Sequence, residues 1–217
     1  MGAKTWMLVY SNGSVSNTFK NGTSLDKSKT ISLLEKLYPT EDLVQIENGD
    51  LSYTNPPDDI IFAGCFGDVS LIAAKEFAGD YPSKIESRFI DSSLGKDIYL
   101  HAMHSVVDWF AFAKWLNGNL VRSLSLSPDS GIIEDIGERM TFEEEYWAGE
   151  HPAIDPEEED EMDYPFVFHP LELGEAALKE FFGYQLEGYI EDNLLEPEEI
   201  PLLGFRRLKP KPWWKLW

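Results

Sequence analysis

Asn117-Gly118 constrains this chain more than any other pair of residues, because it separates two segments of strand-like alternation. Both central positions of a type I′ turn need positive φ, which Asn and Gly tolerate, so the dipeptide specifies a β-hairpin. With these two as the central pair, the expected register sets Trp115 against Leu120, Ala113 against Arg122, Ala111 against Leu124 and Trp109 against Leu126. The other face then pairs Lys114 with Val121, Phe112 with Ser123, Phe110 with Ser125 and Asp108 with Ser127. The first face reads as core. The second, aromatic against small hydroxyls, reads as one that a helix or a ligand covers. The hairpin lies within Asp97–Gly137, which also carries two of the four histidines and a Pro-Asp-Ser-Gly loop.

Around it the chain alternates short elements. Lys4–Ser11 is apolar enough for a strand inside a sheet. Asn12–Gly22 is rich in turn residues. Asp26–Tyr38 has a helical stripe of Ile31, Leu33, Leu34, Leu37 and Tyr38, with Asp26 or Ser28 as cap and Pro39 as stop. Strands follow at Leu43–Glu47 and Ile60–Phe66, Val69–Lys75 reads equally as strand or helical turn, and Ser83–Ile90 reads as a helix. Ile98–His104 is a strand leading into the hairpin. After Pro170, Leu171–Gly183 is an amphipathic helix, and Leu202–Leu208 a last strand. This mixture predicts an α+β fold: a mixed, mainly antiparallel sheet with a central hairpin and flanking helices.

Charge divides the chain further. The net charge is −21, yet five bases and no acid fall between Ile200 and Trp217, so the preceding residues carry 13 bases against 39 acids. From Glu134 to Asp163 fourteen acids accompany one base, Arg139, and Glu157–Asp163 reads as a solvated loop or mobile insertion. Residues 1–205 are therefore expected as one α+β domain with an acidic loop or insertion at about 154–165. Residues 206–217 form a basic, Trp-rich tail, KPKPWWKLW at its end, whose prolines preclude a helix. It can pack back over the acidic body, dock a partner or adsorb to an anionic surface; packing back costs least, since tryptophans rarely stay exposed.

The acidity disfavours nucleic acid and anionic membranes as partners of the body. A single cysteine, Cys65, excludes a disulfide-stapled fold. No apolar segment is long enough for a signal peptide or a transmembrane helix, so a cytoplasmic protein is expected.

Candidate chemistry is sparse. His101 and His104 are three apart, which on a strand sends them to opposite faces and argues against a shared metal. Cys65, at the end of an apolar strand, has the setting of a nucleophile with His104 as base, but a lone buried Cys is ordinarily a small hydrophobe. Ser127-Pro128-Asp129-Ser130-Gly131 suits a type I turn whose Ser130 and Gly131 N–H groups are free to hold an anion; Asp108 tethers it from across the hairpin. Trp147–Pro152 (WAGEHP) and Phe168–Pro170 (FHP) place Trp147, Glu150, His151 and His169 in loops, where function concentrates.

Segments LHAMHSVVDWFAFAKW, NGNLVRSLSLSPDSGIIEDIGE, YWAGEHP and FHPLELGEAALKEFFGY, with MGAKTWMLVY and FAGCF, resemble a family of uncharacterised bacterial proteins found in actinobacteria and bacilli. The resemblance spans about Met1 to Phe205 and leaves out the acidic insertion and the tail. It implies a bacterial cytoplasmic protein and carries over no catalytic residue.

The leading expectation is a non-enzymatic module that binds a small ligand or a protein partner where Ser127–Gly131, Trp147–Pro152 and Phe168–Pro170 cluster, with no metal and no cofactor. The rival is a hydrolase using Cys65 or Ser130 as nucleophile, His104 or His151 as base and Asp108 or Asp129 as acid. A third reading is a peripheral membrane or scaffold protein recruited by the tail.

Overall fold

The computed structural model describes residues 2–153, 165–190 and 193–208. Among these residues nine strands form one sheet: β1 (Lys4–Ser11), β2 (Leu43–Asp50), β3 (Ile60–Phe66), β4 (Val69–Ala73), β5 (Asp97–His104), β6 (Trp109–Leu116), β7 (Asn119–Ser127), β8 (Gly131–Ile136) and β9 (Pro201–Arg207). Their order is β2-β9-β3-β4-β1-β5-β6-β7-β8. Four helices accompany them: α1 (Val15–Lys20), α2 (Lys27–Leu37), α3 (Thr141–Trp147) and α4 (Pro170–Phe182). The α+β class holds, but two finer expectations do not. Every ladder is antiparallel, the isolated Thr5–Thr54 bridge alone being parallel among the described residues. The β6–β7 hairpin lies toward one edge, and the centre belongs to β1.

A central strand has neighbours on both sides and helices on both faces, which is why β1 is apolar almost throughout. Its alternation sends Trp6, Leu8 and Tyr10 to one face, against Leu33, Leu34 and Leu37 of α2, and Met7 and Val9 to the other, against Leu173, Ala177 and Leu178 of α4. Asp26 caps α2 by accepting the Lys29 N–H at 2.9 Å. Gly183 closes α4 at φ 83°, where a Cβ would lie 2.2 Å from Ser16 Oγ.

Other expectations need correction. The segment read as a helix over Ser83–Ile90 is two 3₁₀ turns, Pro82–Lys84 and Ser87–Phe89, each burying a single residue, Pro82 and Phe89, rather than a helical stripe. Val69–Lys75 resolves into β4 and a 3₁₀ turn at Lys75–Phe77. Helix α1 lies in the stretch read only as turns, and β8 and α3 were not anticipated. The 154–165 insertion falls almost wholly outside the described residues, as does the tail beyond Leu208. Arg206 and Arg207, assigned to the tail, belong to β9.

The hairpin turn forms as expected, with Asn117 at φ 50° and Gly118 at φ 78°, and Trp115 pairs with Leu120. Beyond that pair a bulge at Val121 shifts the register by one. Phe112 faces Leu124, Phe110 faces Leu126, and Ala113 and Ala111 face Ser123 and Ser125. A one-residue slip exchanges the faces of a strand. Here it brings Arg122 onto the side of the sheet that α3 covers. Gly137 permits the bulge, since a Cβ there would lie 2.0 Å from the Val121 carbonyl oxygen.

Arg122 is fully buried and its guanidinium forks onto Glu143 of α3, Nε to Oε1 at 2.9 Å and Nη2 to Oε2 at 2.7 Å. Nη1 reaches Asp135 and the Ile136 carbonyl. Glu143 Oε1 also accepts the Met140 N–H at 2.9 Å, so one carboxylate begins α3 and pins it to the sheet. Glu134, another acid of the acidic stretch, is buried too, accepting from Ser123 and from the Ser83 N–H and hydroxyl. Removing Glu143 leaves the buried Arg122 with Asp135 as its remaining carboxylate partner, so the cost should fall at the lower end of the range of about 3–5 kcal/mol for a broken buried pair. Glu143→Ala is therefore expected to lower the unfolding free energy in urea by that amount; a loss below about 1 kcal/mol would show that the pair is not what holds α3.

Candidate functional site

The site is built from α4 outward. Pro170 occupies the first helical position, where its missing N–H costs nothing, and His169 caps the helix by accepting the Leu171 N–H on Nδ1 at 3.3 Å. With Nδ1 accepting, Nε2 carries the proton and faces Asp108 Oδ2 at 3.6 Å.

The next turn lies close to the sheet. A Cβ on Gly174 would meet Met103 Sδ and Phe110 Cδ2, each at 3.1 Å. That approach lets His101, fully buried on β5, donate from Nε2 to the Gly174 carbonyl at 3.0 Å while Nδ1 accepts from the Thr5 hydroxyl at 2.6 Å. Burial pushes the His101 pKa down to about 4, so the ring is neutral, and the stability this arrangement gives is lost as pH falls from 6.5 toward 4.

Glu175 is four residues after Leu171 and three before Leu178, on the edge of the buried stripe, and it is only 7% exposed. Its Oε2 accepts the Leu186 N–H at 2.7 Å, whereas Oε1 has no hydrogen-bond partner among the described residues. Burial, opposed by backbone N–H donors, raises its pKa to about 7.

Glu175 lines a cleft of about 540 Å³ between the start of α4, the end of α3 and the chain at 185–189, together with Glu172, Glu187, Tyr146, His151, His169 and Tyr189. Tyr146 and His151 stack at 4.3 Å and 17°, and Tyr189 is 88% exposed. Glu187 receives the Ala3 N–H at 2.7 Å. Carboxylates beside aromatic faces favour a cation, the carboxylates by charge and the rings by their quadrupoles. Among the described residues no group of three or more His, Cys, Asp or Glu side chains is disposed to hold a metal ion.

The expected clustering of three loops is half met. Trp147–Pro152 and Phe168–Pro170 meet, with Trp147 and Phe168 edge to face at 4.9 Å. Trp147 is used in packing, its Nε1 reaching Glu143 at 3.4 Å and Arg139 lying over its ring at 4.2 Å, while Glu150 is exposed and outside the cleft. The Ser127–Gly131 loop opens on the opposite face of the sheet. There Ser127, Asp129 and Ser130 share a cleft of about 280 Å³ with His104, Trp6 and Lys75. The Ser130 N–H is not free: it meets the Ser127 carbonyl at 3.3 Å and the Ser127 hydroxyl at 3.2 Å, and Gly131 at φ 67° completes the turn into β8. Asp108 at φ 47° is turned to His169 rather than toward that loop.

His101 and His104 do face opposite sides of the sheet. His104 stacks on Trp6, 6.3 Å apart at 17°, with Nδ1 enclosed and unpartnered. Cys65 is remote from it. His104 pairs with Lys4, whereas Cys65 pairs with Ser70 and Ser70 with Tyr10, six residues along β1, or about 20 Å. The Cys65 thiol accepts from the Ser70 hydroxyl at 3.3 Å and burial raises its pKa, so it stays protonated, the state of a packing residue rather than a nucleophile. Sequence reasoning missed Glu175, Tyr146, Glu172, Glu187 and Tyr189. The available signal was Glu175, an acid at the edge of the apolar stripe of LELGEAALKEFF.

Comparison with known proteins places the chain without assigning it an activity. The model of a family of unknown function (DUF6928) matches residues 5–205, and the chain belongs to that family. No curated protein and no solved structure matches it.

Because the folded pKa of Glu175 lies above its unfolded value, the native state binds more protons between the ordinary value of 4.5 and about 7, and stability falls as pH rises through that window. Glu175→Gln removes the charge and keeps the shape. It is expected to be more stable than the parent at pH 8, by up to about 3 kcal/mol, with no such gain at pH 4. Urea unfolding at both pH values checks this; an equal difference at both would show that the carboxylate is not strained by burial.

Proposed function

We propose that this member of the family is a cytoplasmic, non-enzymatic binding module, with residues 1–205 as its α+β domain, and that its ligand is a small organic cation held in the α4 cleft. The observation that carries the reading is Glu175, a buried carboxylate with one oxygen unpartnered among the described residues, in an open cleft walled by aromatic rings. A buried charge is costly unless paired, so a site that keeps one without a partner is suited to receive its partner from outside. A cleft of about 540 Å³ has the size of a small-molecule site rather than an ion site. No helix among the described residues is long and apolar enough to cross a membrane.

The hydrolase reading keeps one observation, the cleft that His104 lines together with Ser127, Asp129 and Ser130. Labelling with a fluorophosphonate separates the two: a serine adduct in that cleft supports the enzyme, and its absence removes it.

For the cation site the probes are tetramethylammonium and putrescine, titrated calorimetrically against sodium at equal ionic strength. Saturable binding is expected at pH 8. It should weaken about tenfold at pH 6, where the ionised fraction of a group titrating near 7 falls by that factor, and be lost in Glu175→Gln. Binding that is independent of pH and survives this substitution would overturn the assignment.

A further inference from the structure

A second surface lies away from the cation cleft and does not depend on it. Between α2 and the edge strand β2 runs a groove of about 480 Å³ whose apolar wall includes Ile31, Leu34, Val44, Phe205 and Leu208. Three of these are unusually open, Ile31 at 40%, Val44 at 46% and Leu208 at 49% exposure. Its rim is acidic, with Glu35, Glu41 and Asp42. An apolar groove beside a strand edge that no other described strand pairs is the kind of surface proteins ordinarily cover.

The chain itself leads into this groove. Leu208, the last described residue, lines it, and its N–H donates to the Asp42 carbonyl at 2.8 Å. The nine residues that follow, Lys209–Trp217, carry three lysines and three tryptophans and no acid. The preceding base already uses the same rim, Arg207 Nε meeting Glu41 Oε2 at 2.9 Å. Pro210 and Pro212 favour an extended polyproline path, along which the five residues from Leu208 to Trp213 can span roughly 15 Å. The flank of α2 from Leu37 back to Ile31 is about 9 Å long, within that reach. A tether this short gives an effective concentration on the order of millimolar, enough for a weak contact to be occupied.

We propose that Lys209–Trp217 folds back in cis onto this groove, its tryptophans covering Ile31 and Val44 and its lysines meeting Glu35 and Asp42. The segment then covers the β2 edge of its own chain. An anionic membrane is the poorer occupant, because the acidic rim would face its headgroups with the same sign.

The test uses the full chain with a nitroxide on Trp217→Cys, the buried Cys65 being left unmodified, and reads the methyl NMR signals of Ile31, Leu34 and Val44. The expected result is loss of most of their intensity, restored when the nitroxide is reduced and absent when Val44→Glu is added. Broadening that appears only on unlabelled chains mixed with nitroxide-bearing ones would mean exchange between two copies and overturn the proposal. Unbroadened signals would overturn it too, and binding of that chain to phosphatidylserine vesicles would then assign the segment to a membrane. Broadening unchanged by Val44→Glu would overturn the groove as its seat.

Discussion

The close approach of α4 to the sheet at Gly174 is the contact on which most of the molecule depends. A hydrogen in place of a Cβ allows the helix backbone to come within reach of His101, and a neutral imidazole then ties three elements, α4 through the Gly174 carbonyl, β5 through its own backbone and β1 through Thr5. Each polar atom of that buried ring is satisfied, so the link adds direction to a helix otherwise held by non-directional apolar packing. The rotation of α4 is thereby set, and with it the position of the next residue. Glu175 is at the cleft because Gly174 is at the sheet.

The other face is organised differently. Helix α2 lies over β3 with its first turn bound to the strand: the Asp26 N–H donates to the Cys65 carbonyl at 2.8 Å, and the Cys65 N–H donates to Thr30 Oγ1 at 3.0 Å. The rest of that face, over β6 and β7, is closed by 3₁₀ turns instead of a helix, and Glu134 holds one of them through Ser83. On the α4 side the buried Arg122–Glu143 pair does the equivalent for α3. A chain of strongly negative charge thus places several acids inside, each where N–H or guanidinium donors compensate the lost hydration. Glu175 is the exception with an oxygen left over, and this makes its cleft, rather than any of the buried pairs, the place to expect a ligand.

Much of the fold was legible locally. The Asn117-Gly118 turn, β1, β3, the Asp26-capped helix and the helix after Pro170 all follow from turn chemistry, caps and periodicity, which act within a few residues. The bulge at Val121 was not legible, because its cause lies in Glu143, Asp135 and Gly137, distant along the chain, which together make it favourable to bury Arg122 on the α3 side. The candidate site was only partly visible for the same reason. His151 and His169 stood out as loop histidines beside prolines and do line the cleft. Ser127, Asp129 and Ser130 stood out equally, yet the strand pairing puts them on the far side of the sheet with His104.

What the sequence alone determined is β1, β3, the Asp26-capped α2, the helix after Pro170 and the hairpin turn, since each is decided by the φ/ψ preferences and hydrophobic period of adjacent residues. Tertiary structure alone decided which face each residue serves and which distant groups meet. Cys65 and His104, suggestive on paper, end at least about 20 Å apart because antiparallel pairing through β4 and β1 carries them to opposite ends of their strands. Glu175, one of 39 acids in the sequence, becomes singular only when α4 buries it, for the energy of a charge is set by the surroundings that the fold assembles and not by its neighbours in the chain.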